Sequence, residues 1–531
     1  MHQLHIIDLT VLVLYIGGVV GFGAFYARRS KTVAQFTSAA GRIPGWAVGL
    51  SLFGTFLSSL TFLGVPGKAY GGNWNAFVFS ITLPIAALVA VKYFVPFYRS
   101  SNAISAYTHL EERFGPWART YAMLCYLLNQ IARIGAILFG VALVLKTLLG
   151  WDMSTVIIVT GALVIFYTLL GGIEAVIWTD VVQSIVLVTG AALSLGIMVF
   201  TMPEGPGQII AIAHEHQKFS LGDFSFSLTE STVLVVFMFG IFINLTNFGI
   251  DQDQVQRYHV AKSDKDASRA VWIMALLYVP MSLLFFLIGT SLFAYYQVHP
   301  DLLDEISRQV AAEQLNIDLG RDLSVTQAEN IQKVAATLSP ADIGDRVFPH
   351  FIVNQLPRGI VGLLIAALLA AAMSSIDTSL NCSATIILKD FYGRHIQRNP
   401  SERTAMRVLH GATIVWGILG TSVAIMLIGV RSLLDAWWII SGIFSGGMLG
   451  LFLLGFISKR AGSFSAATGV VIGLLVIVWM TLSPSELWPE QLAFMRSPFH
   501  ASMVTVIGTM SIFLVGTFVS RVTETMAHPR N

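Results

Sequence analysis

Asp377 stands in the run Ala371-Ala372-Met373-Ser374-Ser375-Ile376-Asp377-Thr378-Ser379-Leu380-Asn381, inside an otherwise apolar stretch. At helical spacing Ala371, Ser374, Ser375 and Thr378 fall on neighbouring turns, with Asp377 three residues after Ser374, so hydroxyls, a carbonyl and a carboxylate converge. Hard oxygen donors without a Cys or His set suit an alkali or alkaline-earth cation. Each hydroxyl also has a plainer role, bonding back to the carbonyl four residues earlier. A carboxylate cannot satisfy itself that way.

A second acid, Asp180, closes the run Gly171-Gly172-Ile173-Glu174-Ala175-Val176-Ile177-Trp178-Thr179-Asp180. Its alternative reading is solvation at a membrane interface beside Trp178. In Gly54-Thr55-Phe56-Leu57-Ser58-Ser59-Leu60-Thr61-Phe62-Leu63-Gly64-Val65-Pro66, glycine and hydroxyl residues weaken a helix that ends at Pro66. Unwinding near Gly54 frees carbonyls for a cation. Arg133, deep in its own apolar run, needs an anion, a carbonyl cluster or a substrate; a structural partner and a substrate carboxylate both fit. Asn244 and Asn247, with Gly240 and Gly249 around them, mark the span whose place in the second half of the chain corresponds to 45–66, with polar helix packing as the alternative.

These residues have to be positioned by membrane helices. Of the 531 residues 55% are hydrophobic and 12% charged, against roughly a quarter charged in soluble proteins. A water-soluble globule is excluded. A net charge of +2 and two cysteines, Cys125 and Cys382, also exclude a nucleic-acid binder driven by bulk charge and a disulfide scaffold. Spanning a bilayer takes roughly 20 apolar residues, and thirteen runs qualify: 6–27, 45–66, 74–98, 117–148, 153–170, 175–201, 231–257, 270–295, 358–389, 405–429, 433–458, 462–483 and 499–521. The first lacks a basic leader and a small-residue cleavage site, so it is expected as a retained span.

Lysine and arginine counts set the orientation. With the N-terminus outside and the C-terminus cytoplasmic, twenty lie at inner ends, among them Arg28, Arg29, Lys31, Arg119, Arg257 and Arg530, against five on short outer connections, Lys68, Lys146, Lys218, Arg431 and Arg496. On that orientation Asp180 lies about 8 Å and Thr378 about 16 Å from their cytoplasmic ends at helical rise. Both carboxylates are thus expected in the inner half. Segment 296–357, with Asp301, Asp304, Glu305, Glu313 and Asp318, reads as an external helical cap.

Setting one span aside at the start and two at the end leaves five beginning inside and five beginning outside. Such opposite topology implies a transporter with its site at the midplane between broken helices. The expected organisation is a first helix and cytoplasmic loop (1–44), a first repeat (45–201), an external connection (202–230), a second repeat (231–458) carrying the insertion 296–357, and two C-terminal helices with a tail (459–531).

The runs around Asp180 and Asp377, Ala106-Tyr107 with Leu110-Glu111 and Arg113-Phe114, and Gln256-Arg257-Tyr258 resemble the sodium:solute symporter family, in its bacterial sialic acid transporter branch. The resemblance covers almost the whole chain through 521. It implies an all-α integral membrane protein with a LeuT-type fold of two inverted five-helix repeats, working by alternating access on a sodium gradient. By position it implies a first sodium site at the carbonyls of Gly54, Leu57 and Ala371 and the hydroxyls of Ser374 and Ser375. A possible second site resembles Asp180, Ser374, Asp377 and Thr378. Family members usually carry a hydroxyl where this chain has Asp377, and two carboxylates around one ion open the way to a proton in its place.

For the substrate, the branch places a sugar acid's carboxylate near Ser58, Thr61 and Arg133. Phe56 stands where that branch has threonine and Ser80 where it has glutamine. The expected function is sodium-coupled import of an anionic sugar such as sialic acid, with a neutral sugar or a monocarboxylate as alternatives. A polytopic sensor or a channel without coupled transport is the alternative of another class. No enzyme is expected, since no helical metal motif such as H-E-x-x-H appears. The expected partners are the solute, one or two sodium ions and the lipid bilayer, with neither nucleic acid nor an obligatory protein.

Overall fold

The computed structural model describes residues 5–27, 32–101, 104–149, 151–315, 317, 324–428, 433–485 and 488–527. Arg28, Arg29, Lys31, Asp318, Arg431 and Arg530 lie outside the described residues. In chain order the principal helices are α1 (Ile6–Ala27), α2 (Gly45–Phe56), α3 (Ser59–Gly71), α4 (Trp74–Ser101), α5 (Pro116–Leu149), α6 (Met153–Thr201), α7 (Val233–Ile250), α8 (Gln252–Val260) and α9 (Asp264–Val298). They continue with α10 (Pro300–Gln314), α11 (Val325–Ala335), α12 (Pro340–Gln355), α13 (Ile360–His395), α14 (Glu402–Met426), α15 (Leu433–Ile457), α16 (Ser463–Leu482) and α17 (Met503–Ala527).

Among the described residues nine helices are long and apolar enough to cross a membrane, or ten with the bent pair α2–α3 counted as one span. Three shorter apolar helices, Ile6–Val19, Met153–Phe166 and Ser441–Ile457, fall on the remaining expected spans. In a bilayer every backbone polar group needs an internal partner, which helices supply and open strands do not. Burial separates centre from rim. Within the most apolar window, 89% of α13 and 78% of α5 is buried, against 33% of α14 and 39% of α16. The helices carrying Asp377 and Arg133 therefore form the middle of the bundle, while Ile185, Ile418, Leu475 and Phe518 face outward.

Three interruptions shape the interior. Helices α2 and α3 meet at 56°, with Leu57 (φ −91°, ψ 91°) and Ser58 (φ −97°, ψ 177°) extended between them. Helices α7 and α8 part at Asp251, also extended (φ −71°, ψ 124°), so the run expected as one span over 231–257 is a broken helix. A carboxylate at the break caps the new helix start: Asp251 accepts from the Asp253 amide at 2.8 Å. Helix α6 covers two expected spans and turns at Gly172, whose φ of 59° and ψ of −169° belong to a region open to glycine almost alone.

The insertion forms α10, α11 and α12 as expected, but α12 is more than a cap. Its Phe348 stacks on Phe62 of α3 at 5.3 Å between ring centroids, and Val347, Phe348 and Phe351 are buried.

Gly172→Ala places a Cβ on that backbone, a strain of about 1–3 kcal/mol. The variant is expected to melt several degrees below the parent in detergent by intrinsic fluorescence, whereas Gly196→Ala, whose Cβ meets open space, leaves the melting temperature unchanged.

Candidate functional site

A broken helix exposes carbonyls and amides that a continuous one would pair. At the α2–α3 break the Thr55 carbonyl accepts from Arg133 Nη2 and from Ser375 Oγ, each at 3.0 Å. Ser375 also donates to Ala371 O at 3.2 Å, so the local back-bond and the cross-helix contact coexist. A Cβ on Gly54 would stand 2.6 Å from Ser184 Oγ, 3.3 Å from Ser374 Oγ and 3.4 Å from the Asp180 carbonyl oxygen. Only glycine lets the three helices close here. The break, Ala371, Ser374 and Ser375 of α13 and Asp180 of α6 are thus brought together. Leu57 lies at the break itself, its amide bonded to Phe53 O at 3.1 Å.

Asp180, Asp377, Thr378 and Ser374 are all fully buried. Asp180 Oδ2 accepts from Ser51 Oγ at 2.5 Å and from Arg257 Nη2 at 3.1 Å. The same Arg257 nitrogen reaches Thr378 Oγ1 at 2.7 Å and Thr55 Oγ1 at 2.8 Å, and its Nε donates to Ser51 Oγ at 3.0 Å. Arg257 is therefore buried inside the bundle, bonded to three other helices. Arg119 is paired with Asp390 and Glu111. Two oxygens of the candidate cation pocket, Asp180 Oδ1 and Ser374 Oγ, are buried without a well-formed hydrogen bond among the described residues, the serine hydroxyl lying beside the Asp180 carboxylate. Such atoms cost free energy unless something fills the pocket. A small hard cation supplies what they lack, so the donor set fits sodium.

On the other side of the break lies a cavity of about 120 Å³ lined by Phe56, Ser58, Thr61, Ser80, Arg133 and Asn247, six of the seven residues expected to meet a substrate. Asn244 does not line it; its amide donates to Thr82 Oγ1 at 3.0 Å between α7 and α4, the packing role. Phe56 packs edge-on against Tyr278 at 5.0 Å, and Ser80 bonds Ser282 at 2.7 Å. Arg133 meets both a carbonyl and an anion: Nη1 pairs with Asp253 Oδ2 at 2.5 Å. Asp251, Asp253 and Gln254, which sequence reasoning did not single out, also line the cavity. The signal was two acids within an apolar run. Lys68, Ala76 and Phe239 are shared with a second cavity of about 650 Å³ bounded by Asn73, Asp223, Ser231 and His500.

Leaving out Lys68 at the far end of α3, the charged groups at or bonded to the two breaks are Arg133 and Arg257 against Asp180, Asp251 and Asp253, and Asp377 is buried beside Thr378 in α13. Their formal sum is −2. Tyr15 of α1 lies within electrostatic reach of both Asp180 and Asp377.

The sodium:solute symporter family model matches residues 36–473. The sodium/sialic acid symporter SiaT of Proteus mirabilis is 34% identical over 522 residues, 97% of this chain and 95% of that protein. The substrate-bound, outward-open structure of a Na+-coupled sialic acid symporter, described as revealing a novel Na+ site, superposes with a TM-score of 0.84 at 31% identity over 98% of both chains. Mhp1, a nucleobase-cation-symport-1 family transporter in a closed conformation, superposes at 0.54 and 14% identity, covering 94% of this chain and 96% of its own, which speaks for the fold alone. That fold is the LeuT type, all-helical with inverted repeats.

Arg257→Gln leaves the Asp180 carboxylate buried without its guanidinium, a loss on the order of 3–5 kcal/mol for a broken buried pair. The variant is expected to melt well below the parent in choline buffer and to recover part of the difference in sodium. Equal losses in both salts would show that no cation reaches Asp180.

Proposed function

The chain belongs to the sodium:solute symporter family, and from that premise we propose that it imports an anionic sugar of the sialic acid class together with sodium, by alternating access. It is a multi-pass membrane transporter and not an enzyme, and sodium is its coupling ion. The observation that carries the solute assignment is the sharing of one helix break: its Gly54 side faces Ser374 and Asp180, while Phe56, Ser58 and Thr61 line the cavity that holds Arg133. A cation drawn to the first face fixes the break, and the fixed break shapes the second. Binding of either ligand then favours the other, as reciprocal coupling requires.

In this reading Gly54, Leu57, Ala371, Ser374 and Ser375 hold the first sodium. Asp180, Asp377 and Thr378, with Ser374, hold a second cation, sodium or a proton. Two monovalent cations would cancel the formal −2 at the breaks, which matters where an uncompensated charge costs at least 2–3 kcal/mol. Ser58, Thr61 and Arg133 take the solute carboxylate, and Phe56, Ser80 and Asn247 bound the rest. The larger outer cavity is the route of entry. The protein sits in a bacterial inner membrane with its N-terminus outside and its C-terminus cytoplasmic, and the two repeats run over 45–201 and 231–458.

The driving force is sufficient. At 100 mV each sodium contributes about 2.3 kcal/mol electrically, and a tenfold concentration ratio adds about 1.4. Two sodiums carried with one monovalent anion leave roughly 5 kcal/mol, enough for several-thousand-fold accumulation.

Proteoliposomes loaded with potassium and diluted into sodium should accumulate sialic acid, and replacing external sodium by choline at clamped voltage should abolish it. Thermal stabilisation screened over sialic acids, other sugar acids, hexoses and monocarboxylates should favour the sugar acids and disappear in Arg133→Gln. Hexose stabilisation that survives that change would move the assignment to a neutral sugar. Asp377→Ser should alter either the pH dependence of uptake or the sodium-to-solute ratio measured from reversal potentials; if neither moves, Asp377 takes no part in coupling.

A further inference from the structure

Arg133 has its guanidinium divided between two acceptors. Nη1 is on the Asp253 carboxylate at 2.5 Å, and Nη2 is on the Thr55 carbonyl at 3.0 Å. A guanidinium holds a carboxylate best through two parallel N–H bonds from its fork, and here half of that fork is occupied by another carboxylate. Both side chains line the cavity, with Arg133 14% and Asp253 2% exposed. Asp253 has further partners of its own. Its Oδ1 accepts from Tyr126 Oη at 2.6 Å and from Gln130 Nε2 at 3.4 Å. It also lies in the first turn of α8, whose dipole favours a negative charge.

We propose that Asp253 is a resident counter-ion that occupies Arg133 until the carboxylate of an incoming solute displaces it. This rests on the reading that the solute carboxylate seeks Arg133. The empty site avoids an uncompensated guanidinium in the bundle, which would be costly. On displacement Asp253 keeps Tyr126 and Gln130 and stays in the field of the α8 N-terminus, so its charge is not orphaned. The exchange also sets specificity. A neutral sugar brings nothing to substitute for Asp253 at Nη1 and meets a closed ion pair, whereas a sugar acid replaces one carboxylate by another. Because the Asp253 carbonyl accepts from Arg257 Nη1 at 3.0 Å, movement of this segment is carried to the guanidinium that holds Asp180. Asp253 is thus a positioning and specificity-determining residue that acts through Arg133.

The test is calorimetric binding of sialic acid to the purified full chain in saturating sodium, with melting temperatures confirming that each variant is folded. Asp253→Asn keeps the shape and removes the competing charge, so it should tighten binding about tenfold and lower the KM for uptake correspondingly. Tyr126→Phe removes the group that retains the displaced carboxylate and should weaken binding roughly fivefold. Should Asp253→Asn fail to fold, Tyr126→Phe carries the test alone. Unchanged or weaker binding in Asp253→Asn, or unchanged binding in Tyr126→Phe, would overturn the proposal and leave Arg133–Asp253 a structural pair. Arg133→Gln separates the two ideas: if it binds sialic acid as tightly as the parent, the assignment of the solute carboxylate to Arg133 is what fails.

Discussion

Charge carried into the middle of a bilayer has to be balanced there, because no water is at hand to do it. This constraint organises the interior of the protein. Asp180, Asp253 and Arg257 are buried and Arg133 nearly so, and each is paired: Arg257 with Asp180, Arg133 with Asp253. The formal charges do not cancel, since the six charged groups at and beside the two helix breaks sum to −2. A transporter can use such a deficit. Cations have a reason to enter that vanishes if the aspartates are neutralised, and a site that discharges on one side of the membrane refills from the side where sodium is abundant.

The second organising feature is the pair of broken helices. Thr55, at the α2–α3 break, gives its carbonyl to Arg133 and Ser375 and shares its hydroxyl with Arg257 and Thr378. One residue therefore touches the arginine of the cavity, the α13 hydroxyls and the arginine on Asp180. At the α7–α8 break Asp251 and Asp253 line the cavity, while Arg257, one turn on from Asp253, reaches across to Asp180. The two breaks are joined through Arg257 and Arg133, so neither can change its geometry without disturbing the other. Close packing makes such linkage discrete, since interiors at native density rearrange between alternative packings and do not deform smoothly.

Much of this was legible in the sequence. Apolar runs of bilayer length gave the helices, because burial of helical backbone in hydrocarbon leaves few other solutions. Asp180, Asp377 and Arg133 stood out because intramembrane charge is costly, and the Gly54–Pro66 cluster announced a break because glycine, hydroxyl residues and proline weaken a helix locally. The position of the α7–α8 break was missed, though its span was matched to the 45–66 run. Asp251 and Asp253 occur near the end of an apolar run, where acids at an interface and acids at a buried break look alike, and counting Arg257 among the inner basic residues gave no sign of its pairing with Asp180. Asn244 was grouped with Asn247, yet these residues, three apart on one helix, part company: one faces α4 and the other the cavity.

What the sequence determined by itself is the inventory: which segments must lie in the membrane, and which of their residues are too expensive there to lack a purpose. Tertiary structure alone decided who partners whom. That Arg133 meets Asp253, 120 positions away, and that Arg257 meets Asp180 across 77 depends on where separate helices cross and break. Composition and periodicity report the solvent preference of each residue along its own helix, whereas an ion pair between helices is fixed by their packing, to which residues distant in sequence contribute equally.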